Sequence, residues 1–410
     1  MKNRVLFLFL LIIPLLKLYA VSLDQCIEAG VKNSLELETE RERRRISSLQ
    51  KKQAYYSFIP SINLNSGMRK QKDIERNGDI SLSVSENLYL FDDRFYNLSK
   101  YHLNHKSTEI TYLQNRKQTV IKIIKMYADI LILENYNKIY QSSIDRYKKD
   151  ITLTKELIKT GKKTELDLYS LKIELKDYEK KLTQNKADLK QKKTELKQIT
   201  QLEKLSQLEE ISKIDESFPQ SGKFNENLDL KYQLNQIELT EIEKKNAFAN
   251  IIPDLYASAS YNKSQNYNFK ENDSYTDTNW EISLNASYPL GNIPERFTDF
   301  KISKKNLRIE RLNRKILKDN LNLEFENKLA KINLNKTEMK LDKERQELAK
   351  KNLELAKNQY RSGLISLIDY SDARNKMIQS EIDYLTSKYE LIKSIAEMQY
   401  FTGSKILGKY

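Results

Sequence analysis

The sequence is short of the residues that interrupt a helix or staple a fold. Nine glycines and six prolines among 410 residues leave long stretches with no helix breaker, which disfavours a compact α/β core and favours long helices. Cys26 is the only cysteine, so an intrachain disulfide is excluded and its expected role is a small apolar packing residue. His102 and His105 are the only histidines. They stand i, i+3 without a cysteine or a third ligand nearby, and read as helix-surface residues rather than a metal pair. There is no glycine-rich phosphate loop and no Ser-His-Asp candidate, so the chain does not read as an enzyme and calls for no cofactor or metal.

Long apolar runs are also scarce. Val5 to Leu16 is apolar over twelve residues, too short to span a bilayer as a helix. With Lys2 and Arg4 before it and Leu18-Tyr19-Ala20 after it, the run reads as a secretory signal peptide, residues 1–20, cleaved after Ala20. The stretch Leu23-Asp24-Gln25 before Cys26 lacks the character of a lipoprotein signal. A mature chain that meets a membrane must therefore do so by strands or by its surface. The formal net charge is +14, about +11 once Lys2, Arg4 and Lys17 leave with the signal. Lysine and arginine alternate with acids along helical faces, which reads as solvated helix surface and not as a nucleic-acid site.

What the chain has in abundance is repetition. Lys159 to Lys172 reads KTGKKTELDLYSLK and Arg361 to Arg374 reads RSGLISLIDYSDAR, with Gly161 matching Gly363 and Asp167 matching Asp369. Helical patterns open at Asn33-Ser34 and at Glu226-Asn227, and close at Ile59-Pro60 and Ile252-Pro253. Duplication of a half-chain is the organising fact. The expected division is a first repeat over 21–200, a linker with Pro219 and Gly222 over 201–225, a second repeat over 226–402 and a tail over 403–410.

After each of those prolines come two strand patterns. Ile80, Leu82, Val84, Leu88 and Leu90 alternate with Ser81, Ser83, Ser85, Asn87 and Tyr89. Ile62, Leu64 and Met68 against Asn63, Asn65 and Arg69 form a partner strand, with 71–79 expected as a polar connection. In the second half Leu255, Ala257, Ala259 and Tyr261 oppose Tyr256, Ser258, Ser260 and Asn262. There too, Trp280, Ile282, Leu284, Ala286 and Tyr288 oppose Glu281, Ser283, Asn285 and Ser287, and 263–278 is expected as a loop. Period-two alternation over about ten residues suits strands with one face in lipid and one in water, and no second sheet is available to cover them. Trp280, Tyr261 and Tyr288 would suit an interfacial girdle. The expected lumen face is Ser81, Ser83, Ser85, Asn87, Ser258, Ser260, Glu281, Ser283 and Asn285. Four strands cannot close a barrel in lipid, so the chain must oligomerise.

Between strands and turns, 93–157 and 295–359 read as unbroken helices about 100 Å long. Leu168, Leu171, Leu175, Tyr178, Leu182, Leu189, Leu196 and Ile199 give the return helix a three-four seam, interrupted by Asn185 and Lys192. The expected fold is mainly α with a small β part: a barrel of four strands per chain continued by long coiled-coil hairpins.

Taken together, these features resemble the TolC-like outer membrane efflux proteins. The resemblance rests on 22–29 and Asn33-Ser34 at the opening helix, Ile59-Pro60-Ser61 and Ile252-Pro253-Asp254 at the strand starts, and the turns 161–167 and 363–372. It implies a homotrimer with one twelve-stranded barrel in the outer membrane and a periplasmic tunnel of helices. It further implies partners in a periplasmic adaptor and an inner-membrane efflux or ABC transporter, and an iris-like opening of the hairpins. On the same ground Asp369 and Asp372 would ring the tunnel mouth, and Gly161, Lys163, Thr164, Asp167, Gly363, Ile365 and Ser366 would form turns that meet the adaptor. The family's cationic tether falls on Ile365, so that latch is missing or replaced, while Lys163 holds the same place in the first copy.

Thr164-x-x-Asp167 and Ser366-x-x-Asp369 both fit a capping box. Asp372 lies beyond the cap, where the first copy has Ser170, and shares a helical face with Asp369. Acids brought together around an axis would attract cations and repel one another. Two other classes compete with the exit duct: a periplasmic adaptor, which needs only one long hairpin, and a secreted coiled-coil protein, for which the strands would be accidental.

Overall fold

The computed structural model describes residues 20–71, 74–202, 205, 207–211, 226–268 and 272–406. The signal-peptide reading over 1–19, most of the linker and the last four residues of the tail lie outside them. Among the described residues seven α-helices and four strands follow one another in two similar series. Helices α1 (Leu23–Asn33) and α2 (Leu35–Tyr56), strands β1 (Ser61–Gln71) and β2 (Ile74–Tyr89), and helices α3 (Asp93–Lys159) and α4 (Glu165–Thr200) make the first. Helix α5 (Leu228–Ala249), strands β3 (Asp254–Asn268) and β4 (Asp273–Ser287), and helices α6 (Ile293–Arg361) and α7 (Leu367–Thr402) make the second. Ser34 and Asn227, which are repeat equivalents, each cap the following helix through a side-chain oxygen.

The four strands form one antiparallel sheet in the order β1-β2-β3-β4. Its register sorts the side chains by face. Ile62, Val84, Tyr261 and Trp280 lie in one row, and Leu88, Ala257 and Leu284 in another. This face is bare: Trp280 is 70% exposed and Leu284 88%, a state that water would penalise and lipid would not. The strands differ from expectation in length. Residues assigned to connections, 74–79 in the first hairpin and 263–268 with 273–278 in the second, continue the ladder. Above the apolar band Lys263, Gln265, Thr276 and Thr278 replace the greasy residues on that face, so each fifteen-residue strand of about 50 Å outruns a lipid band of about 25 Å. Backbone pairing needs no apolar side chain, which is why alternation alone marked only the immersed part.

The helices continue the sheet as an arc. Nearest the strands, α2 packs on α3, α3 on α5 and α5 on α6; further away, α4 packs on α3, α3 on α7 and α7 on α6. At every level the wall has two free edges, β1 with α2 and α4 on one side and β4 with α6 on the other. The free edge of α6 carries Ile302, Ile309, Ile316 and Leu323, then Leu334, Leu341, Leu348 and Leu355, all more than half exposed. They recur every seven residues with one longer step, the mark of a coiled-coil seam with a local unwinding.

Midway along the wall α1 is pressed against α3 and α4, and Val21 pairs with Leu208 of the linker. Cys26 is fully buried there with Ile123, Tyr127 and Ile392, and burial pushes its thiol up to about 12. Asn185, which breaks the apolar seam of α4, is buried and donates to Leu133 O and Asn137 Oδ1 at 2.8 and 3.0 Å. His105 shares a 2.8 Å hydrogen bond with Ser47 across α3 and α2.

Candidate gate at the helical hairpin tips

The duplicated turns are built from the same backbone bonds. Gly161 takes φ +71° and Gly363 φ +78°, the left-handed region in which a side chain would be strained. Gly161 N–H donates to Ile158 O and Lys162 N–H to Leu157 O; Gly363 N–H donates to Tyr360 O and Leu364 N–H to Gln359 O. That is the Schellman closure of α3 and α6. Three residues after each glycine, Thr164 and Ser366 start the return helices with capping boxes, as expected. Asp369 Oδ2 accepts from Ser366 N at 3.2 Å and from Ser366 Oγ at 2.6 Å. Hydrogen bonding from the Ser366 side chain and then its backbone lowers the Asp369 pKa.

Lys163 and Ile365 are repeat equivalents, and they meet. Lys163 Nζ donates to Ile365 O at 3.3 Å and stands 4.2 Å from the centre of the Tyr360 ring. The cation that links the two turns is thus on the first turn, and it grips a carbonyl that any residue at 365 would supply.

Two turns into α7 lies a cluster that the sequence reading passed over. Arg374 is 1% exposed. Its Nη1 donates to Asp150 Oδ2 of α3 at 2.7 Å, and its Nη2 donates to Glu174 Oε2 of α4 at 2.6 Å and to Ser371 Oγ at 2.9 Å. The guanidinium carbon sits 3.8 Å from the Tyr147 ring centre. Tyr370 OH donates to Asp150 at 3.0 Å and stacks on Tyr360 at 4.9 Å. Burial first, then the Asp150 charge, holds the Tyr370 phenol above its ordinary value, so it remains a donor. The signal was in the repeat comparison: Arg374 matches Lys172, while Asp150 and Glu174 match Asn352 and Lys376. The first repeat supplies both acids and the second the base.

Asp372 is exposed and borders an open groove with Tyr147, Tyr178, Glu174, Asn375 and Arg345. It shares no hydrogen bond with Asp369, whose carboxylate is taken up by the cap. At the other end, the expected lumen residues share the polar face of the sheet. Ser85, Ser260 and Glu281 form one row, and Asn87, Ser258 and Ser283 the next. Ser258 and Ser283 are joined at 2.6 Å, and Asn285 reaches Ser258 at 3.3 Å. Ser81 and Ser83 continue that face on β2.

A sequence profile of the outer membrane efflux proteins matches residues 27–200 and 225–404, the two halves that the duplication marks out. No curated protein matches the chain by sequence. Among solved structures the chain is similar to a membrane protein from Pseudomonas aeruginosa, at TM-score 0.84 and 13% identity over 95% of this chain and 91% of that one. It is also similar to the outer-membrane channel OprN, at 0.81 and 15% over 94% and 90%, and to the Campylobacter jejuni outer membrane channel CmeC, at 0.80 and 15% over 94% and 86%. With residues matched in both repeats, the chain belongs to the outer membrane efflux protein family.

Proposed function

We propose that three copies of this chain close into a passive exit duct: a twelve-stranded barrel in the outer membrane, continued by a tunnel of helices in the periplasm. The observation that carries this reading is the protomer's shape as an arc open at every level, with a bare lipid-type face on the sheet and unpaired edges at β1 and β4. An open edge in lipid leaves backbone groups unsatisfied, and head-to-tail pairing of β1 with a neighbour's β4 removes it by ring closure. The leucine seam of α6 is placed to meet α2 and α4 of the neighbour.

In this reading the duct serves a tripartite efflux pump or a type I secretion system. The hairpin turns around Gly161, Lys163, Thr164, Asp167, Gly363, Ile365 and Ser366 contact a periplasmic adaptor, and an inner-membrane transporter supplies the energy. Asp369 and Asp372 narrow the tunnel mouth, and iris-like movement of the hairpins opens it. The Arg374 cluster latches α7 to α3 and α4, and with Lys163 replaces a cationic tether at 365. Opening then requires that α7 withdraw a buried guanidinium from two carboxylates, so the resting state is closed.

The test is single-channel recording in planar bilayers. Asp369→Ala with Asp372→Ala is expected to weaken block by divalent cations several-fold and to raise conductance, because carboxylate rings concentrate cations at a constriction. Traces identical to those of the unaltered protein would remove both aspartates from the gate.

A further inference from the structure

The first turns of α6 carry a basic stripe with no partner. Phe297, Lys301, Lys304, Arg308 and Lys315 recur at i, i+4, i+7, i+11 and i+18, one line down a helix, and all are exposed. Among the described residues none of the four cations makes an ion pair, although Arg311 beside them pairs with Glu241 of α5.

Position in the wall assigns this line to the outside. One flank of α6 faces α5 and α7, and the opposite flank is the leucine seam, so the two remaining faces look inward and outward. One holds Glu295, Asp299, Asn306 and Asn313; the other holds Phe297 and the cations. Phe297 has a repeat equivalent in Phe95, and both rings are exposed just below the sheet, 46% and 63%. Next to Phe297, Arg296 stands over Tyr288, which continues the lipid-type face of β4. An exposed ring continuous with a lipid-facing surface belongs on the lipid side, and the acids and amides belong with water in the lumen.

We propose that this face of α6 binds anionic phospholipid headgroups of the periplasmic leaflet. With Phe297 at the edge of the hydrocarbon, a rise of about 1.5 Å per residue puts Lys301 about 6 Å below it and Lys304 about 10 Å below, which is the depth of the phosphates and just beyond. Arg308 is within two Debye lengths of the same plane. Part of the chain's basic excess is thereby placed outside the tunnel wall, its upper members next to the membrane. The proposal rests on the barrel being embedded in the membrane, and that premise is read separately, from recovery of a heat-modifiable trimer in the outer membrane fraction.

The experiment is native mass spectrometry of the detergent-released trimer equilibrated with phosphatidylglycerol and phosphatidylethanolamine in equal amounts. The unaltered protein is expected to retain phosphatidylglycerol at least fivefold over phosphatidylethanolamine, the selectivity that one well-placed basic side chain provides. Lys301→Gln with Lys304→Gln and Arg308→Gln is expected to abolish the preference. Lys340→Gln with Lys343→Gln and Lys350→Gln, lower on α6, is expected to keep it. Equal retention of the two lipids by the unaltered protein overturns the proposal, as does a preference that survives the upper triple substitution or is lost equally in the lower one. Loss of binding to purified cell-wall sacculi in the upper triple variant, with lipid preference unchanged, overturns it in favour of a cell-wall contact.

Discussion

Arg374 is where one side chain commits the most. Its guanidinium is buried against two rings and ties together three helices, and its two acids come from the other repeat. Removing one member of such a set leaves a buried charge uncompensated, which costs about 3–5 kcal/mol, whereas replacing the whole set with apolar residues is often neutral or stabilising. Arg374→Leu alone is therefore expected to lower the temperature at which the trimer dissociates, and Arg374→Leu with Asp150→Leu and Glu174→Leu to restore most of it. Heat-modifiability on gels reads the stability, and channel recording reads the latch. The triple variant, stable but unlatched, is expected to open more often than the unaltered protein. A triple variant that is stable and still closed would leave Arg374 a structural residue only.

At the scale of elements, the first turn of α7 depends on a single carboxylate. The folded-state pKa of Asp369 is depressed by its bonds from Ser366, so the cap's contribution is complete above the ordinary aspartate value and is lost only as pH falls through the lower folded one. Amide exchange across 366–370, corrected for its intrinsic pH dependence, is expected to stay protected down to about pH 4 and to rise below that. Ser366→Ala is expected to expose these amides at all pH values and to flatten that rise, because a carboxyl returned toward its ordinary value no longer links its protonation to the turn; a rise of unchanged size would mean that the cap does not hold the turn. The turns, the caps, the long helices and the immersed parts of the strands were all legible in the sequence, because each is written in local spacing: Gly161 with Thr164, Gly363 with Ser366, Leu82 against Ser83. Strand length was not legible, since Lys263 and Thr278 pair through their backbones and leave no apolar mark. The Arg374 cluster was not legible either. Asp150 and Arg374 are 224 residues apart, and only the comparison of repeat positions, Asp150 with Asn352 and Arg374 with Lys172, hints that they meet.

The whole molecule sets a condition that no single protomer can meet. A sheet with two open edges and a lipid-type face, continued by helices whose outermost member shows a bare leucine seam, is an incomplete object in both solvents it touches. Leu341 and Leu348 lie in the lower part of that seam, 57% and 66% exposed in the protomer, far from the strands and on a face that α5 and α7 leave free. Burying a leucine against a neighbour contributes about 1.5–3 kcal/mol, and the gain recurs at each interface of the ring. Leu341→Arg with Leu348→Arg replaces it with charge that must either be desolvated or hold the subunits apart. The expected outcome is loss of the heat-modifiable trimer, with the chain recovered as monomer or degraded, because four strands cannot stay in the membrane without their neighbours. Leu341→Met with Leu348→Met, similar in volume and apolar, is expected to keep the trimer. Arginines that leave the trimer intact and equally stable would mean that α6 does not form the subunit boundary at this level, and the neighbour's α4 would have to meet some other face of the arc.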